Sequence, residues 1–131
     1  MSRVLSHLAE LQPELFAEIS LQLAEQLGIG QNDWVTIVTP RGLISAKALV
    51  TARMLPLEID GKTIHQVGLP YHWGWKGMAT GDVVNDLLAI SQEPNVRIME
   101  SKGLVCNLVW GRRSDGKAAL DEWKNLVKEQ P

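Results

Sequence analysis

The chain has 131 residues, the length of a single domain with a hydrophobic core of its own. Hydrophobic residues make up 45% and charged residues 21%, as in soluble globular proteins, and no apolar run approaches the roughly 18 residues of a membrane span. The formal net charge of −2 argues against a nucleic-acid-binding protein, because phosphate neutralisation requires a clustered surplus of Lys and Arg.

The N-terminus and the cysteine content indicate a cytoplasmic protein. Residues 1–20 lack the continuous apolar stretch and the small-residue cleavage site of a secretory signal. Cys106 is the single cysteine, so an internal disulfide is excluded, and this fits a reducing compartment. Because Cys106 lies in an apolar run, we interpret it as a buried structural thiol rather than a reactive one.

The first predicted elements are a short strand and a helix. Residues 15–19 are apolar, and Ser20 after them is a residue type that begins helices at the N-cap. Leucines and an alanine follow at helical spacing, and Gly28 is suited to end the helix. The pattern therefore predicts a strand over residues 15–19 and a two-turn helix that ends before Gly28.

The central part of the chain predicts an antiparallel hairpin. Residues 34–39 alternate, are rich in β-branched side chains, and precede the turn-forming Pro40-Arg41-Gly42. The alternation continues over residues 43–54, where one face carries Ile44, Ala46, Ala48 and Val50.

Four further elements are predicted downstream. A second hairpin turns at Asp60-Gly61, a strong short-range turn signal. Asp82 is a candidate N-cap for a helix, because valines and leucines follow it at helical spacing. A last strand is predicted over residues 103–110, and the charged segment after Gly111 predicts an amphipathic helix. The apolar residues of that helix are Ala119, Leu120, Trp123, Leu126 and Val127.

These elements favour a mainly β fold. Many short hairpins in one domain must hide their edges, so we expect a small closed β-barrel with short helices over its openings. Because the composition changes after Gly111, we divide the chain into a barrel domain over residues 1–111 and a charged C-terminal tail over residues 112–131, interpreted as an appendage.

Three simple kinds of site are disfavoured. The stretch Asp60 to Thr63 has the letters of a phosphate-binding loop, but Pro56 stands where that motif requires a glycine. No catalytic triad or paired-carboxylate set is recognisable. The candidate soft metal ligands lack the spacing of built-in zinc sites; they are His7, His65, His72 and Cys106.

The stretch "VGLPYHWGWKG", residues 67–77, concentrates aromatic and glycine residues. The glycines Gly68, Gly74, Gly77 and Gly81 allow close backbone approach, and Lys76 adds a cation, as a flat phosphate-bearing ligand would require. Alternatively, the rings of Tyr71, Trp73 and Trp75 cap the barrel, and the glycines only turn the chain. Spacing alone leaves both explanations open and slightly favours the second.

Several segments of the chain resemble one known family. These are "LQPELFAEIS", "NDWVTIVTPRGLISAKALVTARMLPLEIDGKTIHQVGLPYHWG", "NDLL" and "ESKGLVCNL". They resemble the C-terminal molybdopterin-dinucleotide-binding domain of the large catalytic subunit of formate dehydrogenases, in the molybdopterin oxidoreductase family. The most specific parts are Gln12-Pro13-Glu14, Arg41-Gly42, and residues 65–70 with His72-Trp73-Gly74.

The resemblance implies a fold and a function. The fold is a six-stranded double-psi β-barrel that holds part of a bis-molybdopterin guanine dinucleotide carrying molybdenum or tungsten. Enzymes of the family oxidise formate to carbon dioxide and pass two electrons to iron–sulfur clusters. The implied partners are the remaining domains of the catalytic subunit and iron–sulfur electron-transfer subunits.

The chain also departs from the family. The metal-ligating cysteine or selenocysteine and the iron–sulfur cysteines belong to upstream domains that this sequence lacks, so we expect the isolated chain to be inactive. Of the family's glycine-rich segment before this domain, only Ser2-Arg3 corresponds to its end. We therefore interpret Met1 as the start of a truncated or separately encoded fragment.

The resemblance also selects residues for cofactor contact, which are His72, Trp73, Gly74, Asn85, Lys102 and Arg41. His72, Trp73 and Gly74 match a loop beside the cofactor, Asn85 matches an asparagine at a helix start, and Lys102 precedes the last strand. Amide and imidazole groups suit the edges of pterin and guanine, and a cation suits the diphosphate. Arg41 is the weaker candidate, because arginines in hairpin turns are usually solvated.

An alternative function belongs to a different class. The chain is then a free-standing, non-enzymatic β-barrel module that binds a partner through the aromatic surface. The side of the barrel that other domains normally cover is also a candidate surface for self-association.

Overall fold

The computed structural model describes residues 5–74 and 78–128. Along the chain the elements are α1 (Ser6–Leu11), β1 (Phe16–Ser20), α2 (Leu21–Leu27), β2 (Trp34–Val38), β3 (Leu43–Thr51), β4 (Leu57–Ile59), β5 (Lys62–Ile64), β6 (Val67–Gly68), a 3₁₀ helix (Val84–Leu87), β7 (Asn107–Trp110) and α3 (Lys117–Lys128). Within these residues no helix has both the length and the apolar content that crossing a bilayer requires.

The predicted N-terminal strand and helix are confirmed. Ser20 ends β1, and its side-chain Oγ accepts a hydrogen bond of 3.1 Å from the amide of Leu23, as expected of an N-cap. Gly28 ends α2 in the left-handed conformation at φ 67°, which glycine adopts without steric strain. The preceding α1 was not predicted. Its N-cap residue is Leu5, whose side chain cannot act as a hydrogen-bonding cap, and the helix spans only Ser6–Leu11.

The central hairpin forms the middle of the sheet, as predicted. β2 and β3 pair antiparallel from Trp34 opposite Lys47 to Val38 opposite Leu43. The predicted inner face of β3 is buried at Ile44, Ala46 and Ala48. β1 pairs with the other edge of β3 in parallel, so β3 is held on both sides.

The second hairpin is also confirmed. β4 and β5 pair antiparallel, with Leu57 opposite Ile64. Asp60 has φ 50° and Gly61 has φ 74°, so both turn residues are left-handed, as a two-residue turn of this kind requires.

The predicted mainly β class is confirmed in its coarse form. Among the described residues the strands form a curled, mixed sheet in the order β6-β1-β3-β2-β7, a half-barrel, and β4 pairs with β5 apart from it. The core lies where this sheet meets α2 and the 3₁₀ helix. It contains Ala17, Ile19, Val35, Ile37, Ile44 and Leu87 among its buried residues.

Two predicted elements are wrong in extent. The helix expected after Asp82 is a 3₁₀ helix that begins after Val83, and the Asp82 carboxylate instead accepts hydrogen bonds from Ser45 and Arg113. The strand expected over residues 103–110 is confined to β7, because Asn107 pairs with Val38, the last residue of β2. Residues 103–106 extend past the end of β2, so that strand offers them no continuation of the ladder.

Candidate cofactor-binding site

The aromatic stretch divides between the core and the surface. Trp73 is only 6% exposed, and its ring packs edge-on against Phe16 with centroids 6.0 Å apart. Tyr71 is half-buried and donates a hydrogen bond of 2.9 Å from its hydroxyl to the carbonyl oxygen of Ser101. The packing of these two rings fits the structural explanation of the stretch. Trp75, Lys76 and Gly77 lie outside the described residues, as do Ser2 and Arg3.

His72 differs from its two aromatic neighbours. It is exposed, and its backbone has φ 82°, a left-handed conformation that a residue with a Cβ rarely adopts. Such conformations cost about 1–3 kcal/mol and concentrate at functional sites. The exposed His72 thus lies between the half-buried Tyr71 and the buried Trp73.

The structure brings three of the six predicted residues to one cavity, which we call the His72 cavity. It has a volume of about 630 Å³ and is lined by Tyr71, His72, Trp73, Val83, Val84, Asn85, Leu88, Met99 and Ser101. Gly74 is close to the same wall, because a Cβ on it would lie 3.7 Å from Cγ2 of Val83. His72 and Asn85 are the exposed polar groups of this set.

Lys102 lines a second cavity beside the first, which we call the Thr39 cavity. Its volume is about 370 Å³, and its lining includes Thr39, Lys102 and Cys106. The two cavities share four lining residues, which are Tyr71, Val84, Leu88 and Ser101. We refer to the two together as the paired cavities. They combine apolar walls with an imidazole, a carboxamide and an ammonium group, a set suited to a flat heterocycle that carries an anionic group.

Arg41 is not brought to the paired cavities. It is exposed in the turn between β2 and β3 and lines a separate cavity of about 340 Å³ with Asp86, Arg113 and Trp123. This placement matches the solvated turn arginine that was the alternative interpretation.

The 3₁₀ helix that carries Asn85 is held tightly against the central hairpin. Oγ1 of Thr39 donates a hydrogen bond of 2.9 Å to the carbonyl oxygen of Leu87. Gly42 follows in the turn, and a Cβ on it would lie only 2.7 Å from the carbonyl oxygen of Asp86. Close backbone approach therefore requires a glycine at position 42.

An ion pair that sequence reasoning missed fixes the other end of this segment. Arg113 donates from Nε and Nη2 to the two carboxylate oxygens of Asp82 at 2.7 and 2.8 Å. Partial burial, the largest influence, raises the pKa of Asp82, but the hydrogen bonds from Arg113 and from the Ser45 amide together hold the pKa below its usual range. Ser101 was also missed, and its only signal in the sequence is its position next to Lys102.

Within residues 5–74 and 78–128 no cluster of three or more His, Cys, Asp or Glu side chains is arranged to hold a metal ion. Cys106 is a free thiol, half-buried, on the wall of the Thr39 cavity. Burial raises the pKa of this thiol, so the reactive thiolate is depleted near neutral pH.

We expect Cys106 in the folded chain to react with iodoacetamide, at about pH 8, at least about tenfold more slowly than in the chain unfolded in urea. The rates are measured by mass spectrometry of the alkylated protein. Equal rates in the two states would show an accessible thiolate and contradict the structural interpretation of this residue.

Comparison with known proteins identifies the family to which the chain belongs. Residues 1–105 match the family model described as "Molydopterin dinucleotide binding domain". Three relatives are a formate dehydrogenase 2 subunit alpha (cytochrome c-553) from Nitratidesulfovibrio vulgaris strain Hildenborough, the formate dehydrogenase-O major subunit from Escherichia coli K12, and a formate dehydrogenase subunit alpha from Megalodesulfovibrio gigas. Their identities to this chain are 39%, 43% and 38%, over 82%, 76% and 82% of its length.

The chain spans only 11%, 10% and 11% of the lengths of these three relatives. Among solved structures, acetylene hydratase from Pelobacter acetylenicus matches 64% of this chain and 12% of its own, at 15% identity and a TM-score of 0.48. That likeness is too weak to support an argument. The family match covers most of the sequence, and the chain therefore belongs to the molybdopterin-dinucleotide-binding domain family.

Proposed function

We propose that the paired cavities hold part of a molybdopterin guanine dinucleotide, and that the chain acts as the cofactor-binding domain of a formate dehydrogenase catalytic subunit. The observation that carries the proposal is the gathering of His72, Trp73 and Asn85 in one cavity, with Lys102 in the cavity that adjoins it. Asn85 and Lys102 are 12 and 29 residues beyond Trp73 in the sequence, and the resemblance to the family selected all four residues independently of the fold.

The side chains present fit the chemistry of this cofactor. The His72 imidazole and the Asn85 carboxamide both donate and accept hydrogen bonds, as the edges of pterin and guanine require. Lys102 is exposed and presents an ammonium group for the diphosphate. Val84 and Leu88 supply apolar surface for the faces of the rings.

The role of this chain is to bind and orient the cofactor. When bound, the cofactor supplies two-electron redox chemistry for formate oxidation, through molybdenum or tungsten that other domains ligate. The chain's own residues exclude water along the apolar walls and hold the heterocycle and the diphosphate in place.

The proposal also covers the complete fold, the form of the cofactor, the partners and the division of the chain. The half-barrel is part of a complete six-stranded double-psi barrel. The cofactor is the bis-form, and the isolated chain is inactive. The partners are the remaining domains of the catalytic subunit, as the greater length of the relatives supports, together with iron–sulfur subunits. The protein is cytoplasmic. The chain divides at Gly111 into the cofactor-binding domain and the tail.

We test the proposal by titrating the chain with guanosine diphosphate and with neopterin, which represent the two ends of the cofactor. We expect binding of at least one fragment, followed by nuclear magnetic resonance as shifts of the His72 and Asn85 signals. His72→Ala and Asn85→Ala should each weaken that binding by about fivefold, because losing one hydrogen bond to an uncharged ring edge costs about 1 kcal/mol.

The matched controls are His7→Ala in α1 and Asn125→Ala in α3, which change the same residue types at exposed positions. These controls should leave the affinity and the melting temperature unchanged. If neither fragment binds the folded wild-type chain, or if the controls weaken binding as much as His72→Ala does, the cofactor proposal is wrong and the interaction-module alternative is favoured.

A further inference from the structure

We propose that the C-terminal tail positions the 3₁₀ helix that carries Asn85, with Arg113 and Trp123 as positioning residues. The role of this position in ligand binding rests on the proposed function, whereas the positioning rests on contacts within the chain. The tail lies beyond residues 1–105, which match the family, so neither the family match nor the resemblance assigns it a role.

The first contact holds the N-terminal end of the segment. Arg113 forms a bidentate pair with Asp82, and the side chains of the two residues are 24% and 22% exposed. Oδ2 of Asp82 also accepts a hydrogen bond of 2.8 Å from the amide of Ser45 in β3. The fork geometry of a guanidinium fixes the orientation of the carboxylate as well as its distance. Asp82 is therefore fixed to the sheet and to the tail together.

The second contact holds the C-terminal end through one intermediate residue. Nε1 of Trp123 in α3 donates a hydrogen bond of 3.0 Å to the carbonyl oxygen of Thr39. Thr39 in turn donates from Oγ1 to the carbonyl oxygen of Leu87, the last residue of the 3₁₀ helix. The tail thus acts on both ends of the short segment from Asp82 to Leu87.

Buried hydroxyl groups tie the start of the tail to the sheet. The amide of Arg113 donates a hydrogen bond of 2.8 Å to Oγ of Ser45, and Oγ1 of Thr36 donates one of 2.8 Å to the carbonyl oxygen of Gly111. Thr36 and Ser45 are buried partners in β2 and β3. Buried, fully partnered polar groups of this kind specify one arrangement, because each alternative leaves a donor or acceptor unsatisfied.

The held segment forms part of the candidate site. Val83, Val84 and Asn85 lie between the two contacts and line the His72 cavity. Among the described residues that line the paired cavities, neither Arg113 nor Trp123 is present. They therefore act through Asp82 and Thr39 rather than by touching a ligand.

The test measures amide hydrogen exchange of the full chain without ligand. In Arg113→Gln we expect the amides of residues 83–88 to exchange about tenfold faster, because a charge-assisted hydrogen bond that resists local opening is lost. Amides of α2 should be unchanged. Trp123→Phe, which keeps an aromatic ring but removes the donor, should give a smaller increase in the same residues.

The matched control is Arg53→Gln, which also removes an arginine paired with a carboxylate, that of Glu18 in β1. Among the described residues the hydrogen bonds of Arg53 are to Glu18 and Thr51, and not to the segment. Unchanged exchange over residues 83–88 in Arg113→Gln, or an equal increase throughout the sheet, overturns the positioning role. If Arg113→Gln does not fold, Arg113→Lys and Trp123→Phe decide the question by the same comparison.

A binding measurement tests whether the position of the segment affects ligand binding at the candidate site. Whichever of guanosine diphosphate and neopterin binds the wild-type chain should bind Arg113→Gln about tenfold more weakly and Arg53→Gln with unchanged affinity. Faster exchange with unchanged affinity would show that the tail positions the segment but that this position does not affect ligand binding, and the link to the site would be wrong. If the wild-type chain binds neither fragment, the proposed function fails, and hydrogen exchange alone decides the positioning.

Discussion

Replacement of Trp73 by alanine is expected to lower the free energy of unfolding by about 3–5 kcal/mol, the range for removing a large buried aromatic side chain. Trp73 is almost fully buried, and its ring packs edge-on against Phe16. The backbone at Gly81 packs closely against the indole, because a Cβ on Gly81 would lie 3.4 Å from Cδ1 of Trp73. Urea unfolding followed by circular dichroism measures the change.

The matched control is Trp110→Ala, which removes the same side chain where it is 64% exposed. Its indole donates a hydrogen bond of 3.2 Å to Asp33, so we expect a loss of only about 1 kcal/mol. Trp73→Phe should retain most of the stability, since an aromatic ring still fills the site. An equal loss for Trp73→Ala and Trp110→Ala would show that Trp73 does not support the core.

This result also separates two roles of the aromatic stretch. Trp73 faces both the core and the His72 cavity, so loss of binding in Trp73→Ala alone is ambiguous. His72 is exposed at the same cavity, so its substitution tests contact without removing core packing. The structural explanation of the stretch thus applies to Trp73, and the ligand-binding explanation applies to His72.

The elements that were predictable from the sequence depend on residues close together along the chain. Ser20 and Gly28 mark the ends of one short helix, and Asp60-Gly61 makes a turn between two strands that it directly joins. The alternation of apolar and polar residues predicts which face of β3 is buried, without knowledge of the strands that pair with it. In each case the deciding interactions span only a few residues.

The elements that were not predictable depend on distant partners. Asp82 has the residue type of an N-cap, but Arg113, 31 residues away, binds its carboxylate instead. The 3₁₀ helix ends on a hydrogen bond between Thr39 and Leu87, 48 residues apart. Local patterns carry no information on such pairs, because either partner alone has several common environments.

The candidate site was recognisable only in part, and for a different reason. His72, Trp73 and Asn85 came from the resemblance to a family rather than from a spacing that chemistry dictates. The spacing of residues 67–77 alone slightly favoured a purely structural role for that stretch. It also gave no indication that Arg41 lines a different cavity from His72, Trp73 and Asn85. Which loops meet at a cavity is decided by the topology of the sheet, which composition and periodicity do not encode.

We expect Asp82→Ala to lower the free energy of unfolding by about 2–4 kcal/mol near neutral pH. The substitution leaves the partly buried guanidinium of Arg113 without its carboxylate and the amide of Ser45 without its acceptor. Removal of one partner of a partly desolvated pair is costly, because the remaining charge has no compensation. Urea unfolding measures the loss, and Asp115→Ala is the control on the same arginine, since Asp115 is 77% exposed.

The pH dependence gives an independent test of the same pair. The pKa of Asp82 is lowered in the folded chain, so its contribution to stability is present above the ordinary value of an aspartate, about 3.9, and is lost as pH falls through the folded-state pKa. The difference in free energy of unfolding between wild type and Asp82→Asn should be constant well above that ordinary value and shrink below it. Other titrating groups are common to both proteins and largely cancel. A difference that stays constant into strong acid would show that the carboxylate of Asp82 carries no stabilising charge, and Arg113 would then have no electrostatic hold on the segment that bears Asn85.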